Sequence, residues 1–314
     1  MIVPARSALR GYALILTAAC LWATIGLFYR ALVDGYGLSP QVVVAYRAGL
    51  AALAIAVGLA ATRPAALRIR RVDLRFFMLF GVFGVAVFVI SYIQALTTGS
   101  VAQAAVLLYT APIWIAVWAV VHEGERLEGP RLLALTLAVV GCALVAQAYD
   151  PARLKINALA VGYGLLSGLT YAAYSLWSAE GTRRGYDAWT VVLYSFGFGA
   201  VVVFAITPVR DTVRAATTAG AWPLLLGVSL VTGVVAPVCF TFGLRHVRTS
   251  SASILATLEP VVAALLAWMV LGEALAPPQI VGGACVLLAV VVLVRASSRR
   301  EARGAAPAAL PSES

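Results

Sequence analysis

Charged residues are scarce in this sequence. They make up 11% of the 314 residues, while hydrophobic residues make up 62% and the mean hydropathy is +0.95. Soluble domains carry about 25% charged residues, so this composition excludes an ordinary soluble protein and indicates a multi-pass membrane protein. The net charge of +10 would suggest a nucleic-acid partner in a soluble chain. We expect no such partner here, because the positive residues follow a membrane topology.

Histidine and cysteine are also few. The two histidines, His122 and His246, stand at the ends of apolar runs without an acid, base or metal-ligand cluster. The four cysteines lie inside apolar runs and lack the spacing of a metal site or a disulfide framework. We therefore expect no catalytic residue, no metal and no cofactor. A membrane-embedded enzyme and a channel, which needs pore-lining rings or a carbonyl filter, stay as the weaker alternatives.

Apolar runs of about 20 residues, the length that crosses a bilayer, fill most of the chain. Ten spans are predicted, at about 11–32, 40–61, 74–97, 101–121, 131–148, 157–179, 187–208, 221–243, 250–271 and 277–295. Seventeen lysines and arginines fall on one side of these spans and five on the other, with Arg47 inside a span. By the positive-inside rule both termini are cytoplasmic. We expect a multi-pass protein of the inner cell membrane, with the lipid bilayer as a partner.

The stretch from Val101 to Leu127 occurs twice. An offset of 148 positions aligns Pro112 with Pro260, and the Gly-Glu-x-Leu at 124–127 with the one at 272–275. The match indicates an internal duplication. Because five crossings separate the two copies, they have opposite orientations. Inverted repeats of this kind are an architecture of secondary transporters.

The predicted fold class is all-α and integral to the membrane, with ten transmembrane helices as two inverted five-helix repeats around a central cavity. The repeats are assigned to residues 1–148 and 149–295, and residues 296–314 to a disordered cytoplasmic tail. A duplicated chain is self-contained, which favours a monomer but leaves the oligomeric state open.

Two charged residues lie well inside predicted spans, away from the span ends. Glu259 stands in the middle of span nine and Arg47 in the outer third of span two. Intramembrane charges are costly and usually functional, so Glu259 is the candidate for proton or ion coupling. The alternatives are that Glu259 is protonated or bonds a packing partner without a role in transport, and that Arg47 snorkels to the interface or caps carbonyls. Pro260, next to Glu259, and Pro112, its equivalent in the first half, are expected to kink their helices.

Polar and aromatic side chains recur at three- and four-residue steps, which places them on shared helix faces. The substrate-binding candidates are Trp22, Thr24, Arg47, Ser91, Tyr92, Gln94, Tyr109, Thr170, Tyr171, Tyr174, Trp177, Thr241, Ser253 and Thr257. For each aromatic residue, packing against lipid is an equal alternative.

The motifs resemble one known family. Tyr46-Arg47, Ala111-Pro112 followed by Gly-Glu, and Leu258-Glu259-Pro260-Val261 followed by Gly-Glu-x-Leu are similar to those of the EamA-type ten-span members of the drug/metabolite transporter superfamily. The resemblance covers nearly the whole chain, up to about Val294. It implies a central cavity lined by spans one, three, four, six, eight and nine, with spans five and ten peripheral.

The expected function is a secondary transporter that exports small organic metabolites by alternating access. Amino acids, including aromatic or hydrophobic ones, are the leading substrate class. The alternative is a carrier of multiple drugs or of another metabolite, such as a vitamin, nucleoside or sugar derivative. We expect Glu259 to change protonation during the cycle, and Arg47 either to pair with Glu259 transiently or to attract a substrate carboxylate.

Overall fold

The computed structural model describes residues 5–125, 128–154 and 157–305. Within these ranges the chain forms helices and turns and no β-strand. Ten helical segments are α1 Ser7–Tyr36, α2 Pro40–Thr62, α3 Arg71–Thr98, α4 Val101–Glu123, α5 Gly129–Val145, α6 Ala158–Arg183, α7 Ala188–Ile206, α8 Ala219–Gly243, α9 Thr249–Leu271 and α10 Pro277–Ala305. A short helix, Val209–Thr217, lies between α7 and α8.

Eight of the described segments are long and apolar enough to cross a membrane, which confirms a helical membrane protein. The other two are α5, which is apolar but has 17 residues, and α6, which has 26 residues. The α6 helix is less apolar because it buries Ser167, Ser175 and Ser178 against its neighbours. Ten crossings therefore stay a prediction.

The C-terminal segment differs from the expected disordered tail. The α10 helix continues to Ala305, so residues 296–305 are helical rather than disordered. Residues 306–314 lie outside the described part of the chain, as do Arg126 and Leu127 of the first Gly-Glu-x-Leu motif.

The two sequence halves interleave. The α6 helix packs against α3 and both parts of α4, while α1 packs against α8 and α9, and α2 against α7 and α8. Each half therefore buries its apolar faces on the other, and neither is a separate folding unit.

The α5 and α10 helices pack along each other, and their contact depends on two glycines. A Cβ atom on Gly141 would lie 2.7 Å from the carbonyl oxygen of Gly282, and one on Gly282 would lie 2.7 Å from that of Gly141. Small residues permit such close approach between membrane helices.

Local backbone features recur at the 148-residue offset. The α4 helix is interrupted at Tyr109–Thr110 and α9 at Thr257, shortly before Pro112 and Pro260. Both helices end at a glycine in the left-handed conformation, Gly124 at φ 62° and Gly272 at φ 68°. The α3 helix contains a π-helical stretch at Phe80–Val87, and α8 contains one at Ser229–Val235.

The glycine contact between α5 and α10 predicts the effect of one methyl group. Gly141→Ala should lower the free energy of unfolding by about 1–3 kcal/mol, because the added Cβ overpacks the contact. The matched control is Gly162→Ala in α6, where a Cβ would meet nothing within 4 Å. Thermal unfolding in detergent compares the two variants. A Gly141→Ala protein as stable as Gly162→Ala would contradict this packing.

Candidate functional site

The interruptions in α4 and α9 meet at a small cavity. Four of the predicted substrate-binding residues line it: Tyr109, Tyr171, Ser253 and Thr257. Its volume is about 10 Å³, which holds about one water molecule. The wall is completed by Ala111, Pro112, Ile115, Ser175 and Ala256. This cavity joins the two halves of the chain but is too small for a metabolite.

Threonine hydroxyl groups donate hydrogen bonds to the backbone carbonyls next to the helix interruptions. Thr110 Oγ1 donates to the Leu107 carbonyl at 2.6 Å, and Thr257 Oγ1 donates to the Ile254 carbonyl at 2.6 Å. Thr24, at a break within α1, donates to the Leu21 carbonyl at 2.7 Å. Inside a membrane such carbonyls need a partner, so these threonines stabilise the breaks.

Glu259 lies two residues beyond the break in α9. It is half-buried in the described structure. Among the described residues it forms no hydrogen bond or ion pair. Its charge interacts with Arg47, Tyr92, Tyr109, Tyr171 and Cys142.

Arg47 is 9% exposed, so it is held in the interior rather than extended to an interface. Its Nε atom is buried and has no hydrogen-bond partner in the described structure. Gly233, in the π-helical stretch of α8, lets α8 approach α2 closely beside Arg47, because a Cβ there would lie 2.9 Å from Ala51 Cβ and 3.1 Å from the Arg47 carbonyl oxygen. The charge of Arg47 interacts with Glu259, Tyr29 and Tyr174. The two charged groups are therefore neighbours, but no ion pair within 4 Å joins them.

Aromatic rings form a continuous wall beside these charges. Tyr171 stacks on Phe88 with ring centroids 5.2 Å apart and on Tyr174 at 6.3 Å. Trp22 lies 6.4 Å from Tyr171 and 5.3 Å from Phe240. The Trp22 indole N–H donates to the Thr232 carbonyl of the π-helical stretch at 3.2 Å. This bond fixes the ring between α1 and α8.

Several predicted site residues have their polar groups engaged elsewhere. Thr241 is fully buried and its hydroxyl donates to the Pro237 carbonyl of its own helix at 2.8 Å. Thr170 donates to the Leu166 carbonyl at 2.7 Å. Neither hydroxyl therefore faces a cavity in this conformation. Of the others, Ser91 is buried and Trp177 packs on Phe80. Gln94 is half-buried, and its backbone carbonyl oxygen accepts hydrogen bonds from the Thr97 and Thr98 hydroxyls.

The sequence patterns missed Tyr29, Phe88, Phe240 and Cys142. Tyr29 is seven residues beyond Trp22, which is two helical turns, and this spacing is a usable signal. Phe88 and Phe240 look like any other aromatic residue of an apolar run. Cys142 was interpreted as a small buried hydrophobe; it is buried, and its Sγ lies 3.9 Å from the Thr257 carbonyl.

The sequence profile of the EamA-like transporter family matches residues 9–147 and again residues 158–295. The chain belongs to this family. The resemblance of its motifs to EamA-type transporters is thus confirmed.

Three proteins of similar sequence carry names that describe them as transporters or exporters. A protein of Archaeoglobus fulgidus named "Uncharacterized transporter" is 34% identical over 68% of this chain and 75% of its own length. The Salmonella typhimurium protein "Uncharacterized inner membrane transporter YicL" is 24% identical over 94% of this chain and 98% of its own. A "Probable terminal-alkyne amino-acid exporter" of Streptantibioticus cattleyicolor is 27% identical over 94% and 97%.

A solved crystal structure shares the fold. It aligns with a TM-score of 0.72, covering 93% of this chain and 98% of the other, at 17% sequence identity. The family and the names of its relatives indicate a membrane transporter rather than an enzyme.

Asp73, at the start of α3, is bonded in a very different way from Glu259. Its carboxylate is 3% exposed and accepts hydrogen bonds from Arg184 at 2.6 Å, from Arg70 at 2.7 Å and from the Tyr186 hydroxyl at 2.7 Å. These donors come from both halves of the chain and cover the carboxylate near the protein surface. Asp73 is therefore a structural acid.

The contrast between the two acids predicts opposite effects of neutralisation. Asp73→Asn should lower the midpoint of thermal unfolding by several degrees, because it disrupts three hydrogen bonds to a charged group. Glu259→Gln should leave the midpoint unchanged or raise it, because no described bond is lost and a buried charge is removed. Thermal unfolding of both variants in the same detergent measures this. A large loss of stability in Glu259→Gln would show that Glu259 has a structural partner.

Proposed function

We propose that this protein is a secondary transporter that exports amino acids across the inner membrane by alternating access. The observation that carries the proposal is the separation of Arg47 from Glu259. Arg47 is a buried cation with an unpaired Nε, and Glu259 is a half-buried acid without a bonded partner among the described residues. The name of the Streptantibioticus relative agrees with this substrate class.

The charges argue for a zwitterionic ligand. Isolated charges in a low-dielectric interior are costly unless they are paired. Because Arg47 and Glu259 do not pair directly, a molecule carrying both a carboxylate and an ammonium can bridge them. The guanidinium forms strong charge-assisted hydrogen bonds to a carboxylate, and the Glu259 carboxylate accepts from the ammonium. An α-amino acid carries these two groups on one carbon atom.

The aromatic wall supports a hydrophobic or aromatic substrate side chain. The Tyr171 ring contacts the rings of Trp22 and Tyr174 and lies near Glu259. Aromatic walls bind apolar groups by burial and ring stacking, and they attract an ammonium by cation–π contact. Tyr29 and Tyr92, near Arg47 and Glu259 respectively, extend this wall.

The repeated backbone features support an alternating-access mechanism. The family profile matches twice, and helix breaks, π-helical stretches and left-handed glycines recur in both copies. We interpret the chain as ten crossings in two inverted repeats that rock about the breaks in α4 and α9. The arginine-rich connections then lie in the cytoplasm, together with both termini. The bilayer and the substrate are the expected partners of a monomer.

Glu259 also supplies a route for proton coupling. One carboxylate cannot hold a proton and a substrate ammonium together, so the two compete for it. Substrate binding from the cytoplasm expels a proton from Glu259, and release outside allows a proton to bind again. The cycle exports one amino acid and imports one proton. The proton gradient would thereby drive export.

Ligand analogues test which charged groups of a ligand the site recognises. In a thermal-shift screen of the purified protein, hydrophobic and aromatic amino acids should stabilise it, while the matching amines and carboxylic acids should do so far less. Glu259→Gln should lose the preference for the α-ammonium but retain the need for the carboxylate, and Arg47→Gln should do the reverse. Glu123→Gln, an exposed carboxylate, is the control. Equal stabilisation by amines without a carboxylate would favour the multidrug alternative and contradict the proposal.

The coupling mechanism is tested in proteoliposomes. Wild-type flux of a bound amino acid should increase when a proton gradient is imposed. Glu259→Gln should abolish this response, because the variant cannot take up or release the coupling proton. Transport of the wild type that ignores the gradient would remove the coupling role and leave a facilitated carrier.

A further inference from the structure

The two Gly-Glu motifs are equivalent in sequence but differ in their surroundings. The Glu125 side chain is 3% exposed, whereas that of Glu273, its partner in the repeat, is 56% exposed. Glu273 pairs with the exposed Arg30 at 2.7 Å. Because inverted copies lie at opposite ends of the bundle, this difference means that one end is closed more tightly than the other.

Glu125 joins the end of α4 to the start of α9. Arg248 Nη1 donates to its Oε1 at 3.0 Å, and Ser250 Oγ donates to its Oε2 at 3.0 Å. Arg131, at the start of α5, also pairs with this carboxylate. A buried carboxylate with several donors holds its neighbours strongly. The connection therefore fixes α9 of the second half against α4 and α5 of the first.

This connection lies directly below the small cavity. Ser253 lines the cavity and donates to the Ser250 carbonyl at 2.9 Å, one helical turn away. All residues from Thr249 to Ala256 are buried, and this first part of α9 packs against the second part of α4. The helices are therefore closely packed between the breaks and the end of the bundle that carries Arg131, Arg183, Arg184 and Arg248, the arginine-rich end. The cavity at the breaks, about 10 Å³ in volume, is too small to hold an amino acid.

We infer that Glu125, Arg248 and Ser250 form a latch that closes the arginine-rich end of the transport path. This inference rests on the alternating access proposed above. For the path to open at this end, the start of α9 must separate from the end of α4, and the bonds to Glu125 must break. Arg131 lies on α5 and can stay with Glu125 when Arg248 and Ser250 leave.

The latch is one-sided. At the repeat offset, Arg248 corresponds to Ser100 and Ser250 to Ala102, so these two positions give Glu273 no matching donors, and its described partner is the exposed Arg30. Weakening the latch therefore shifts the population toward the conformation open at the arginine-rich end, and the bonds at the opposite end do not compensate.

Cysteine accessibility tests the latch without any substrate. In a chain whose four native cysteines are replaced by alanine, Ser253→Cys reports on the latched end and Tyr29→Cys on the opposite side. Labelling by a maleimide in nanodiscs exposes both ends to the reagent. Because bonds to a charged group are strong, Glu125→Gln and Ser250→Ala should each raise the labelling rate at Ser253→Cys by about tenfold. Labelling at Tyr29→Cys should fall, since opening one end closes the other.

The matched control is Glu123→Gln. It makes the same chemical change two residues away, in a carboxylate that pairs with Arg183 at 3.1 Å, and should leave both labelling rates unchanged. Unchanged labelling at Ser253→Cys in both latch variants would overturn the inference. A higher labelling rate at both probes would also overturn it, because Glu125 would then stabilise the whole fold and not one conformation. Failure of the amino-acid screen would leave this result intact.

Discussion

The structure depends on the cost of placing charge inside a membrane protein. Arg47 and Glu259 are held in the interior, near enough to interact but not joined in an ion pair. Gly233 lets α8 approach α2 closely beside the arginine, and the break in α9 places the glutamate just beyond Thr257. Keeping two opposite charges unpaired in the interior costs free energy. A ligand that binds both charges offsets this cost.

The two repeats share their backbone but differ in their chemistry. Helix breaks, π-helical stretches and left-handed glycines recur, so both halves can bend at matching points. The side chains proposed to function do not recur, since Ala111 stands where the second half has Glu259, and Ser100 where it has Arg248. In the proposed mechanism, duplication supplies the two-state framework, and divergence supplies a single charged site and a single latch.

The sequence predicted those features that follow from periodicity and cost. Prolines in repeated apolar runs indicated the breaks in α4 and α9. The repeat aligns Tyr109 with Thr257, and both residues line the small cavity. Other features depend on helix rotation, which composition does not reveal: Thr241 turns inward and bonds its own helix. The burial of Glu125 depends on the conformation adopted, so its sequence position indicated only a helix end.

A crystal structure of the protein bound to its most stabilising amino acid tests the central claim most directly. The account predicts that the ligand carboxylate lies within hydrogen-bond distance of the Arg47 guanidinium. It also predicts that the ammonium lies within that distance of the Glu259 carboxylate, with the substrate side chain against Tyr171. A ligand bound elsewhere, with Arg47 and Glu259 joined in a direct ion pair, would contradict it.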